Sequence, residues 1–149
     1  MSIANDHFAI EQLCRRFMWA IDHADIAAFK DIFTPTARWK GLDLDFSVAE
    51  FAAFAEEMKE DVPITLHYLA NTIAEIDGAS ATVKSNFYAV HAIPANRDTA
   101  LGRHEQDMDA IMAGQYYDKM IKADGQWKID LRETVITWQS WRPTAGRPF

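Results

Sequence analysis

Between Asp6 and Ala24 the apolar residues Ile10, Leu13, Cys14, Phe17 and Ile21 recur at spacings of three and four, with Glu11, Arg15 and Arg16 on the other side. That periodicity predicts an amphipathic helix. Asp25 is placed to cap a second helix through Phe33, closed by Pro35, and Ala37-Arg38-Trp39-Lys40 reads as a short strand with Ala37 and Trp39 on one face. Ser47-Val48-Ala49-Glu50 has the form of a capping box, and Val48, Phe51, Ala55 and Met58 give the helix it opens an apolar face. After Pro63 the period changes to two. Thr65 to Ile73 alternates so that His67, Leu69, Asn71 and Ile73 share a face. Asp77-Gly78 turns this strand into another from Ala81 to Ala92, on which Val83, Ser85, Phe87, Ala89 and His91 lie opposite Lys84. The polar stretch 94–109 is long for a hairpin loop, a length at which loops act as lids or are simply mobile. Gly114 to Ile121 and Trp127 to Trp138 form a second antiparallel pair around Asp124-Gly125, and the tail from Trp141 to Phe149 is expected to be irregular.

Helices first and long antiparallel strands afterwards predict an α+β fold in a single domain spanning 1–149. Composition agrees: the 149 residues are 49% hydrophobic and 25% charged, as in a soluble globular chain with a real core. A net charge of -7 without a basic cluster argues against nucleic acid as a partner. The single Cys14 lies on an apolar stripe, which excludes an internal disulfide and fits a reducing cytoplasm. No secretion signal and no apolar run of the ~18 residues needed to span a membrane is seen, so the expected location is cytoplasmic. Trp141 and Phe149 are costly to leave in water and are expected to pack on a neighbouring subunit.

The candidate chemistry lies on the strand pair. His67 and Asn71 share a predicted face with aliphatic residues, and polar groups so placed have either bonded partners or work to do. An imidazole titrates near ~6.5, so its surroundings decide whether it takes or gives a proton at neutral pH. Asp22 follows the helix stripe and, unlike Asp25, has no capping duty. No nucleophile relay or Gly-rich phosphate loop is evident, and Asp22, His67, Asn71 and His91 lack the tight spacing of metal ligands. Neither a metal nor a cofactor is expected.

Four segments in order, Ala20-Ile21-Asp22-His23-Ala24-Asp25, Leu66-His67-Tyr68-Leu69-Ala70-Asn71, Gly114-Gln115-Tyr116-Tyr117-Asp118 and Asp124-Gly125-Gln126-Trp127-Lys128-Ile129 with Arg132 after it, resemble the SnoaL-like branch of the NTF2-like superfamily. The resemblance runs from about Ile10 to Trp138. It implies a cone of three N-terminal helices packed in a strongly curved, mostly antiparallel sheet. In catalytic members, dehydratases and a dehydrochlorinase among them, an Asp ending the first helix pairs with a His on the first long strand, and the matching positions are Asp22 and His67. Arg132 and His91 match pocket residues of such members. By its own alternation, however, Arg132 shares a face with Lys128 and Asp130, opposite Trp127, Ile129 and Leu131. Phe17 stands where some members place a Lys or Tyr, and a phenyl ring donates no proton, so an acid is left to Tyr68, Tyr88, Tyr117 or His91.

A carboxylate on the far nitrogen of His67 would fix its tautomer and make the pair a proton-abstracting device. The resemblance thus implies a cofactor-independent lyase or isomerase acting on a hydrophobic cyclic or aromatic small molecule by dehydration, β-elimination or double-bond isomerisation. Asp22 and His67 are the expected catalytic residues. Asn71, His91, Arg132, Phe17, Trp39, Phe87 and Tyr117 are expected to bind substrate. The alternative is a non-catalytic binding or assembly protein of the same fold, like a dioxygenase β-subunit, and in either case a homo-oligomer, dimer or trimer, is expected.

Overall fold

The computed structural model describes residues 3–146. Helix α1 (Ile3–His23) buries Ile10, Leu13, Cys14 and Phe17, the stripe its spacing predicts. Helix α2 (Ile26–Ile32) is capped by Asp25, whose side chain accepts from the Ala28 N–H. Helix α3 (Val48–Asp61) opens on the full Ser47/Glu50 capping box, with each side chain bonded to the other's backbone. These helices pack against a curved mixed sheet of six strands: β1 (Phe33–Gly41), β2 (Leu44–Ser47), β3 (Ile64–Asp77), β4 (Ser80–Ile93), β5 (Met108–Ala123) and β6 (Gln126–Pro143). The architecture is the NTF2-like α+β cone.

The strand order is β2-β1-β6-β5-β4-β3, antiparallel throughout except for the parallel pair β1 and β6. Asp124 and Gly125 both take positive φ (51° and 78°), as a two-residue turn between right-twisted strands requires. Gly114 is demanded by contact instead: a Cβ there would meet the Val135 carbonyl oxygen at 2.0 Å. The core between sheet and helices holds Ile10, Phe17, Phe29, Phe51, Met120 and Ile129.

Several boundaries differ from the sequence expectation. The second helix stops at Ile32, and Phe33 to Pro35 already belong to β1, where a register irregularity against β6 accommodates the proline's missing N–H. Strand β2 was not anticipated; it pairs with β1 through Arg38↔Ser47 to Gly41↔Leu44. β5 begins at Met108 rather than near Gly114, which shortens the long loop to 94–107. β6 extends through Trp141, Arg142 and Pro143, paired with Ala110, Asp109 and Met108, so this part of the tail is strand. The expectation for Phe149 lies outside the described residues.

Candidate active site

The end of α1 is closed by a Schellman motif. Ala24 takes a left-handed conformation (φ 47°), and the N–H groups of Ala24 and Asp25 return to the carbonyls of Ile21 and Ala20 at 3.3 and 2.9 Å. Asp22 therefore sits in the last turn, and its backbone carbonyl is one of the four that no intrahelical donor reaches. Lys59 of α3 fills that need: its Nζ donates to the Asp22 carbonyl at 2.8 Å and to the Pro63 carbonyl at 2.7 Å. One ammonium thus ties the end of α1 to α3 and to the start of β3.

Strand β3 is an edge strand, and α1 packs against it. The Asp22 carboxylate reaches it with both oxygens: Oδ2 accepts from the His67 backbone N–H at 2.9 Å, and Oδ1 lies 2.6 Å from the His67 ring Nδ1. A carboxylate only accepts, which assigns a ring proton to Nδ1, so that in the neutral ring the lone pair is on Nε2. Each side chain is only 12% exposed. The His91 ring stands across from His67, with centroids 5.2 Å apart at 88°. Burial first, then the neighbouring His67, depresses His91 from the ordinary 6.5 to about 4, against weaker opposing effects of Ala110 and Asp22. His91 is neutral at pH 7. Its Nδ1 is buried without a hydrogen-bond partner among the described residues, as is Thr134 Oγ1.

A cavity of about 300 Å³ opens against this pair. Its walls are largely aromatic, with Phe17 from α1, Trp39 from β1, Phe51 and Phe54 from α3, Phe87 from β4 and Tyr116 from β5. Ala100 and Leu101 of the 94–107 loop and Leu42 and Leu44 of the β1/β2 hairpin complete it. The polar lining is Lys59, Thr65, His67, His91, Thr134 and the Tyr116 phenol, which burial pushes up so that it stays protonated.

Six of the nine expected site residues, Asp22, His67, His91, Phe17, Trp39 and Phe87, are therefore brought to one place. The other three are not. Between Leu69↔Phe87 and Thr72↔Ser85, β3 carries one residue more than β4, and this bulge reverses the facing of everything beyond it. Asn71 and Ile73 are exposed on the outer face, and Thr72 and Ala74 turn inward in their stead. On β5 the inward residues are Tyr116 and Asp118, so Tyr117 lies outside at 40% exposure. Tyr68 and Tyr88, two of the acid candidates, also face out.

Arg132 follows neither expectation fully. A second bulge, at Asp130 between Met120↔Ile129 and Lys119↔Leu131, turns Arg132 inward against its local alternation, and the Thr34 hydroxyl holds Asp130 at 2.7 Å. Arg132 is fully buried yet does not line the cavity. It makes two bonds to Asp118, Nε to Oδ1 at 2.7 Å and Nη2 to Oδ2 at 2.6 Å, and its guanidinium stacks on the Phe17 and Tyr116 rings at 4.0 and 4.4 Å from their centroids. Burial opposes the charge, but Asp118 outweighs it and holds the guanidinium protonated. Arg132 thus backs two rings of the wall from behind.

Sequence reasoning missed Lys59 and Tyr116. Lys59 lies four residues after Ala55 and next to Met58, at the edge of the apolar stripe of α3, and that spacing was a signal for it. For Tyr116 the in-phase Met120 was a signal, but a Tyr on each face of the strand obscured it.

The fold and the site together define an α+β cone of sheet and helices around a largely apolar cavity, with a carboxylate–imidazole pair beside it. This chain belongs to the SnoaL-like family: the SnoaL-like domain matches residues 2–133. Among solved structures it is similar to the Kfla4162 protein of Kribbella flavida, with 15% identity, 93% of this chain and 95% of that one covered, and a TM-score of 0.80. It is also similar to hexachlorocyclohexane dehydrochlorinase LinA-type3 of Novosphingobium barchaimii, at 15% identity, 98% and 94% coverage and a TM-score of 0.77. A candidate scytalone dehydratase of Novosphingobium aromaticivorans matches at 21% identity, 97% and 91% coverage and a TM-score of 0.76. A comparison with curated protein sequences finds no match.

Proposed function

We propose that this protein is a cofactor-independent lyase or isomerase in which His67, oriented by Asp22, removes a proton from carbon in a hydrophobic cyclic or aromatic small molecule. The observation that carries the reading is the 2.6 Å contact of Asp22 Oδ1 with His67 Nδ1 at the wall of a largely apolar cavity. The carboxylate fixes the tautomer and balances the imidazolium formed when Nε2 takes a proton, and general base catalysis of this kind contributes typically ~10²–10⁴-fold. Neutral His91 and the Tyr116 and Thr134 hydroxyls are the groups that position a ligand's polar atoms. The family and the dehydratase and dehydrochlorinase names among the similar structures are in keeping with this chemistry. The reading includes a homo-oligomer assembled through the outer face of the sheet and a cytoplasmic setting.

The test is deuterium wash-in. A panel of cyclic β-hydroxy ketones and aryl ketones is incubated with the protein in D2O and followed by NMR for exchange next to the carbonyl and for elimination. Exchange or elimination by the wild type should fall ~10²-fold or more in His67→Ala and in Asp22→Asn, with both variants folded. Undiminished turnover in both variants sinks the dyad. Tight ligand binding without any turnover favours the second reading, a binding or assembly protein, which the largely apolar cavity also suits.

A further inference from the structure

The cavity lining does not share the acidic character of the chain. The protein carries a net charge of -7, yet the side chains that line its cavity include no carboxylate and one lysine, Lys59. Lys59 makes no ion pair among the described residues: both of its hydrogen-bond partners, the backbone carbonyls of Asp22 and Pro63, are uncharged, and the Asp22 carboxylate is engaged by His67. An ammonium has three N–H donors in tetrahedral arrangement. Two are taken by the carbonyls and the side chain lines the cavity, and the third has no protein acceptor among the described residues. The two carbonyl bonds also hold the ammonium in place, which spares a ligand the entropy of ordering a long side chain. In an apolar enclosure, away from bulk water, a fixed cation acts more strongly on a nearby negative charge than it would in solvent.

We propose that Lys59 is the anion-binding residue of this site, and that the cavity takes a flat or cyclic apolar molecule bearing one anionic or departing oxygen, which the free N–H of Lys59 contacts. This rests on the preceding reading only for the reaction, not for the binding. In a dehydration, the C–H bond breaks as His67 Nε2 takes the proton, and the electron pair forms the C=C bond. The neighbouring C–O bond breaks with its pair going to oxygen. Lys59 protonates that oxygen, which leaves as water, and the proton on His67 returns to the lysine amine through solvent. No external reactant is needed. A 300 Å³ space suits one or two rings rather than a four-ring steroid.

The probe is 4-nitrophenol, whose phenolate and phenol absorb at separate wavelengths. The titratable and charged groups around it in the cavity are Lys59 from α3, His67 from β3 with Asp22 of α1 behind it, His91 from β4 and Tyr116 from β5. The wild type, Lys59→Met and Lys59→Arg are titrated with the dye across pH. In the wild type the bound dye should ionise at a pH at least one unit lower than in Lys59→Met, with phenolate binding about tenfold tighter, neutral phenol binding changed less than twofold, and Lys59→Arg largely restoring the effect. A lysine that only joined α1 to β3 would leave the ionisation of the bound dye unmoved. Equal phenolate affinity in wild type and Lys59→Met, or no binding of the dye by the wild type, overturns the proposal. Should Lys59→Met fail to fold, ¹⁵N-NMR of the wild-type lysine ammonium decides: its resonance moves on adding 4-nitrophenolate, or the proposal fails. None of these readings requires turnover, so they stand apart from the wash-in result for His67 and Asp22.

Discussion

At the scale of single residues, burial and the adjacent His67 ring keep His91 neutral until the pH falls to about 4, whereas in the unfolded chain the same imidazole charges near 6.5. Between those values the unfolded state binds the extra proton, so stability rises with pH, is fully present above about 6.5 and is lost as pH falls through about 4. At 1.36 kcal/mol for each pH unit of difference the loss amounts to roughly 3 kcal/mol. His91→Gln removes the titration, and its melting temperature should depend less on pH over that window than the wild type's; parallel curves for the two would contradict the assignment. The Arg132–Asp118 pair offers a second measurement. Both side chains are fully buried, and Asp118→Ala would strand a guanidinium whose Nη1 already has no hydrogen-bond partner among the described residues. Urea unfolding should show a loss of about 3–5 kcal/mol for that variant and a far smaller one for the double replacement Arg132→Met with Asp118→Leu. A cost below about 1 kcal/mol for Asp118→Ala would show that the pair does not hold the wall behind Phe17 and Tyr116.

At the scale of elements, the end of α1 is the joint on which the site depends. It uses a left-handed Ala24 where glycine is the usual residue, and a left-handed alanine costs about 1–2 kcal/mol. Ala24→Gly should therefore raise stability, by about 1 kcal/mol in urea denaturation, and leave the placement of Asp22 unchanged. A destabilised variant would mean that the alanine methyl packs usefully there. The same joint gives the Asp22 carboxylate two partners: it accepts from an edge-strand N–H that no neighbouring strand takes, and it holds the His67 ring. The bulges are the other determinant at this scale. The one in β3 follows the inward-facing Thr65, His67 and Leu69 and turns Asn71 outward, and the one at Asp130 buries Arg132.

At the scale of the whole molecule, the outer face of the sheet carries an apolar row at matched register, Tyr68 beside Tyr88 beside Ala113 beside Trp138, across four strands. Tyr68 and Trp138 are 56% and 52% exposed, more than a lone chain gains from leaving such rings in water. The proposed homo-oligomer buries this row. Light scattering at micromolar concentration should give a mass above that of one chain for the wild type and a lower one for Trp138→Glu. A monomeric wild type would remove the proposal.

The sequence by itself determined what depends on near neighbours in the chain. The period of α1, the Asp25 cap, the Ser47/Glu50 capping box, the two Asp-Gly turns and the shared facing of Phe87 and His91 were all legible, because periodicity and capping are set within a few residues. The placement of His67 was legible for the same reason, since it precedes the bulge in β3. Its pairing with Asp22, 45 positions away, followed only from a family resemblance, and the contact itself was decided by the tertiary structure. So were the outward turn of Asn71 and Tyr117, the burial of Arg132 and the arrival of Lys59 at the cavity. A bulge inserts one residue where two strands pair, so it belongs to the partner strand as much as to its own sequence, and it inverts an alternation that read correctly up to that point. Lys59 meets Asp22 because the carbonyls at a helix end need donors that the helix cannot supply, and which side chain comes to them is fixed only when the helices pack in the cone.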